Sequence, residues 1–295
     1  MRLFLLPIST RRTLIYCEKI QTELHGSKPS LVDRAVNKAN ETWADWEKAE
    51  KGWKKKVTHY GNEVFKRIPF EEWGLKTLPP LSQTNVNRAL KDAPLKLLYP
   101  GHFLEGSKIP EILKRTATER QGLHKKRMIW SVLAMPLTIP VGLLPVIPNF
   151  PFIYLAFRAW SHYKALSGSK YLDTLLEKKL ISPTPSTALD ELYAAGLIHP
   201  TRAQSRQAVV PSRNDSLAIA YAVKEQTNNG AEDVMLLQRW NGKLLAERFH
   251  LPEMEVEIER AVEQVEKGIK AKAELEREKR EIEKVVTKPS NHGQR

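Results

Sequence analysis

A single cysteine, Cys17, stands in 295 residues. That excludes a disulfide within one chain and any zinc site built on several thiolates. Phosphate-binding glycine loops are missing too, since neither G-x-x-x-x-G-K-[ST] nor G-x-G-x-x-G occurs. No H-E-x-x-H or G-x-S-x-G is present, and the eight histidines are scattered without metal-ligand spacing. From these absences the expectation is a protein that is not an enzyme, with no catalytic residue, no cofactor and no metal ligand. The remaining scarcity is local. Although 27% of the chain is charged, Met128 to Phe157 holds no charged side chain at all.

That stretch, MIWSVLAMPLTIPVGLLPVIPNFPFIYLAF, exceeds the roughly 20 residues a helix needs to cross a bilayer. Pro136, Pro140, Pro145, Pro148 and Pro151 lie inside it, and a straight helix cannot absorb them all. The cluster around Asn149 is the natural break, giving limbs at about 128–144 and about 150–164. Two topologies follow: one kinked span, or a hairpin that dips into a membrane and returns. Lys125, Lys126 and Arg127 precede the insert, and Arg158 and Lys164 follow it. Basic residues prefer one side of a membrane, which favours the hairpin. Arg127, Trp130, Arg158 and Trp160 would then share one interface, and the arginines could reach lipid phosphates. His124 and His162 flank the same insert, and imidazoles titrate near neutral pH, so a proton-linked role is physically open to them.

Elsewhere the pattern predicts a mainly α fold with a small N-terminal β element. Strands are expected at about 2–8 and 13–19, with a third at Leu95–Tyr99. The same N-terminus is basic and free of acid before Glu18, which also suits a mitochondrial targeting segment. Residues 31–67 read as one long helix with Trp43, Trp46 and Trp53 on a packing seam. A basic helix over 110–127 leads into the insert. A helix over 150–180 leaves it, with Gly168 as a weak point. SPTPS at 182–186 reads as a break, 187–195 as a short helix, 197–214 as a polar linker, and 233–249 as a helix. The division expected is a basic α+β domain over 1–127, a membrane-inserted hairpin or kinked span over 128–164, a helical region over 165–252 and a charged helical tail over 253–295.

The net charge of +13 calls for a negatively charged partner or surface. Residues 1–127 carry 25 Lys and Arg against 14 Asp and Glu, and the tail balances 10 against 11. The basic residues are interspersed with acids and no nucleic-acid motif appears, so membrane lipid and a protein partner or second copy are expected before nucleic acid.

Several pieces carry a resemblance: the opening MRLFLLPISTRRTLIYC, HKKRM before the insert, PLTIPVGLLPVIPNFPFIYLAFRAWSHYKAL through it and HLPEMEVEIERAVEQ at the tail. With these the chain resembles the fungal mitochondrial K+–H+ exchange-related family. The resemblance implies a mitochondrial inner-membrane protein connected with potassium–proton exchange, with K+ and H+ as the ions concerned. The uncharged insert argues for an accessory or regulatory part rather than a self-contained carrier. The alternative is a membrane-tethered organising factor that binds ribosomes, nucleic acid or another protein complex.

Overall fold

The computed structural model describes residues 1–18, 31–91, 94–142, 149–199, 201, 203–204 and 211–286. Among them the elements in chain order are β1 (Leu3–Pro7), β2 (Thr13–Cys17), α1 (Leu31–Glu47), α2 (Trp53–Lys66), α3 (Phe70–Thr77), α4 (Gln83–Lys91), β3 (Leu95–Tyr99), α5 (Ile109–Thr118), α6 (Gln121–Ala134), α7 (Ile139–Gly142), α8 (Phe150–Glu177), β4 (Ile181–Pro185), α9 (Thr187–Ile198), α10 (Arg213–Gln226), α11 (Asn241–Phe249) and α12 (Pro252–Val286). The fold is mainly helical with one small sheet, and the chain forms two interleaved compact units rather than successive segments.

The first unit comprises Met1–Leu3, Cys17–Lys96 and Leu113–Ser182. The single helix expected over 31–67 is two helices. Helix ends after Glu47 and restarts at Trp53, and Gly52 between them has φ +95°, a conformation costly for any residue with a Cβ. The two helices pack antiparallel. Trp46 lies 5.1 Å from Trp53 and Trp43 lies 5.5 Å from Phe65, while Trp43 Nε1 donates to Asn62 at 3.3 Å. The tryptophan stripe is therefore the seam of a helical hairpin.

A second hairpin holds the uncharged insert. α6 passes through a 3₁₀ turn, Met135–Thr138, into α7. α8 begins beyond Asn149, whose side chain accepts from Phe152 N at 3.1 Å and donates to Thr138 O at 2.6 Å. With His124 against His162 at the other end, the limbs are antiparallel. Pro145 and Pro148, expected at the break, lie outside the described residues. Pro151 sits in the first turn of α8, where its missing N–H has no intrahelical partner to lose. Among the described residues no helix is long and apolar enough to cross a membrane. Trp130, Leu133, Leu137, Ile139 and Ile153 are nevertheless exposed on these limbs, Leu137 at 81%.

α8 does not weaken at Gly168. It runs unbroken to Glu177, and α3 crosses it there so closely that a Cβ on Gly168 would collide with the Leu75 carbonyl oxygen. Ser167 Oγ accepts from Leu81 N at 2.9 Å just beyond the crossing. Small residues on this face bring the polar side chains of α3 within reach of α8.

The second unit comprises Phe4–Tyr16, Leu97–Ile112 and Pro183–Arg295, and most of the sheet belongs to it. The strand order is β2-β1-β3-β4. β1 is buried at every position, as a continuous apolar run in an inner strand should be. β1 and β2 form a hairpin closed by Ile8 N donating to Arg12 O at 2.8 Å. The SPTPS segment is mostly strand, not a break: β4 lies at the sheet edge, where Pro183 and Pro185 are tolerated. The helix expected over 233–249 begins only at Asn241, because Asp233 caps the β1–β2 turn through Ser9 at 2.5 Å and Leu236 N bonds Ile8 O at 2.9 Å. Residues 213–226 are helical, started by a Ser212–Asp215 capping box. In α12 the first turns bury Met254, Ile258, Ala261 and Val265, whereas Leu275 further along is exposed, so no seam continues through the tail.

Candidate functional site

Among the described residues of the first unit, charge is buried at one place, where α3, α6 and α8 meet. Glu72 follows Phe70 on α3 and is 1% exposed. Arg158, the residue after the uncharged stretch, reaches it with two hydrogen bonds, Nη1 to Oε1 at 2.9 Å and Nη2 to Oε2 at 3.3 Å. Ser161 Oγ donates to Glu72 Oε1 at 2.6 Å, and Lys76 Nζ donates to Ser161 Oγ at 3.0 Å. One turn beyond Arg158, His162 accepts from Arg158 Nη2 on its Nε2 at 2.8 Å. Its Nδ1 lies 3.1 Å from Nδ1 of His124 on α6.

These contacts assign the protons. A guanidinium can only donate, so His162 Nε2 is bare and its proton is on Nδ1. That proton is donated to His124 Nδ1, which must be bare in turn. His124 then carries its proton on Nε2, and this buried N–H has no hydrogen-bond partner among the described residues. The chain of bonds runs Glu72–Arg158–His162–His124 and ends on an unpartnered donor. Such a buried group has a specific cost, which makes the cluster a candidate for more than packing.

The electrostatics follow from burial and neighbours. Burial lowers His162 from its ordinary 6.5 to about 4; Glu72 opposes this, and Arg158, His124 and Arg127 add to it. His124 is lowered for the same first reason, with Glu72 opposing and Arg120, Arg158 and Arg127 reinforcing. Burial pushes the Glu72 carboxyl up. The Ser161 hydroxyl and the Arg158 guanidinium more than offset that, so Glu72 stays below the ordinary carboxylate range. At neutral pH the arrangement is an ionised Glu72–Arg158 pair beside two neutral imidazoles.

Glu72, His124 and His162 are also of the right types to ligate a metal, with ligand atoms within 4.8 Å of one another. The residues do not fit that use. Arg158 occupies both carboxylate oxygens and His162 Nε2, and its positive charge stands where a cation would bind.

The residues expected at a membrane interface separate. Arg127 and Trp130 are exposed on α6. Trp160 is half-buried, 6.2 Å from Phe157. Arg158, expected to present its guanidinium to lipid phosphates, is buried and committed to Glu72 instead. His124 and His162, expected to flank the insert with a proton-linked role open to them, are in direct contact. Glu72, Ser161 and Lys76 were not anticipated. The signal in sequence was a pair of carboxylates, Glu71 and Glu72, between the apolar Phe70 and Trp73. Cys17 is buried, which pushes its thiol up to about 12.

Fold and cluster together define a mainly helical protein with a neutral polar network buried at the base of an uncharged helical hairpin. The chain belongs to the mitochondrial K+–H+ exchange-related family, whose model matches residues 2–176. That range contains the cluster and the hairpin. The chain is 30% identical over 194 residues to an uncharacterized protein of Schizosaccharomyces pombe, covering 65% of this chain and 82% of the relative. It is 27% identical over 229 residues to an uncharacterized protein of Saccharomyces cerevisiae, covering 68% and 71% respectively. No solved structure matches.

Proposed function

We propose that the protein is an accessory or regulatory component of potassium–proton homeostasis in the mitochondrial inner membrane, seated there by the α6–α8 hairpin. The observation that carries this is the hairpin itself: limbs without charge from Met128 to Phe157, exposed apolar side chains near its turn, and a proton-bearing network at its base. Exposed apolar surface of this kind marks a membrane or protein contact. Among the described residues no helix is both long and apolar enough to cross a membrane, and a hairpin that enters one leaflet needs none. The limbs offer no charged side chain to an ion between Met128 and Phe157, so ion movement would fall to a partner chain or further copies. The histidine pair supplies the proton link: a further proton on the bare Nδ1 of His124 breaks its internal hydrogen bond.

Swelling of isolated mitochondria in potassium acetate tests the reading. Deletion of the protein alters the swelling rate and matrix potassium if the proposal holds. Unchanged swelling with normal matrix potassium contradicts it.

A further inference from the structure

We infer that the first unit carries a binding pocket for the phosphate of an anionic glycerophospholipid, formed by Arg67, Arg127 and Tyr154 beside the Glu72-paired Arg158. A cavity of about 420 Å³ opens there, walled by Val64, Ile68 and Pro69. Arg67, Arg127 and Arg158 line this one cavity, a gathering of basic residues that favours an anion. Arg158 is neutralised by Glu72, and its contacts use three of its five N–H donors. Arg67 and Arg127 have no carboxylate partner among the described residues. The cavity thus presents two uncompensated cations and a phenol to whatever enters it. Guanidinium groups bind phosphate oxygens in pairs of parallel hydrogen bonds, which makes phosphate the fitting anion.

The surface beside the cavity identifies the rest of the ligand. Arg127, Trp130, Leu133 and Leu137 follow one another at three- and four-residue spacing along the first limb, and the last three are exposed. Ile153 is exposed next to Tyr154 on α8. A molecule with a phosphate in the pocket therefore meets a strip of apolar side chains leading away from it. A free phosphate or nucleotide would use the arginines but not the strip, whereas a phospholipid uses both. This inference rests on the membrane reading of the hairpin and adds the headgroup it selects.

The test is flotation of the purified full chain with phosphatidylcholine vesicles, with and without phosphatidylglycerol, for wild type and Arg67→Gln/Arg127→Gln. Both arginines are exposed, so the variant is expected to melt at the wild-type temperature. The pocket predicts a wild-type preference for phosphatidylglycerol vesicles that the variant loses, about 30-fold in partitioning for two arginines at an anionic surface. Equal preference in the two proteins overturns the pocket. Equal binding of wild type to both vesicle types overturns it too and leaves the membrane reading standing. A short-chain phosphatidylglycerol, dissolved below its micelle concentration, separates the other case. If it raises the wild-type but not the variant melting temperature while no vesicle is bound, the pocket stands and the membrane seat fails. If inorganic phosphate gives the same rise at the same concentration, the ligand is a free phosphate and the lipid assignment is wrong.

Discussion

Nδ1 of His124 and Nδ1 of His162 lie 3.1 Å apart in a fully buried contact between α6 and α8, and only one of them can carry a proton while the contact lasts. Protonating the pair twice sets two N–H donors against each other. The groups facing it are Glu72 on α3, Arg120 just before α6, Arg127 on α6, and Arg158 on α8. Burial holds the pair neutral, and the three positive groups reinforce it against Glu72.

A pH dependence of stability follows. The unfolded chain takes up protons on these histidines near 6.5, while the fold admits one on His162 only near 4. Stability present above about pH 6.5 is therefore lost progressively as pH falls toward 4, by at most about 3 kcal/mol for His162. Glu72 acts lower: its depressed carboxyl contributes stability above its ordinary 4.5 and loses it below. Thermal melts from pH 7.5 to 4 are expected to show a shallower decline for His162→Gln than for wild type.

Glu72→Gln leaves the Arg158 guanidinium buried without its counter-charge. Removing one partner of a buried pair costs about 3–5 kcal/mol. The double variant Glu72→Met/Arg158→Met is expected to recover most of that loss, because no lone charge remains. Urea denaturation of wild type, Glu72→Met, Arg158→Met and the double variant measures the coupling. An additive double variant would mean that the two residues are not a pair.

Gly168→Ala drives a Cβ into the Leu75 carbonyl and must push α3 off α8, with an expected cost of about 1–3 kcal/mol or more. Gly122→Ala is the control: it lies in the first turn of α6 with no atom within 4 Å of the added Cβ. That change is expected to be neutral or to stabilise by up to about 1 kcal/mol.

Cys17 is expected to resist thiol reagents in the native protein at pH 8, because burial holds the thiol protonated up to about 12. Its rate of modification should rise with denaturant in step with unfolding. Fast labelling under native conditions would contradict the burial.

The strands were legible because short apolar runs between turn residues leave few alternatives; Leu95–Tyr99 matches its sequence run at both ends. The break at Gly52 was not, because Trp46 and Trp53 keep the helical spacing across it, and only the folded hairpin shows that they face each other. The strand at Ile181–Pro185 was hidden by its prolines, which an edge position permits. His124 and His162 could be singled out as flanks of the insert. Their contact, and the role of Glu72, could not be read, since the bond from Arg158 to Glu72 spans 86 residues and depends on Gly168 letting α3 approach.

The central claim, that the hairpin seats the protein in a membrane, is tested most directly by alkaline carbonate extraction of mitochondria carrying wild type or Leu133→Asp/Leu137→Asp. Both leucines are exposed, so the purified variant is expected to keep the wild-type melting temperature. The account predicts wild type in the carbonate-resistant pellet and the variant in the supernatant. Wild type in the supernatant, or a variant that stays in the pellet, would contradict it.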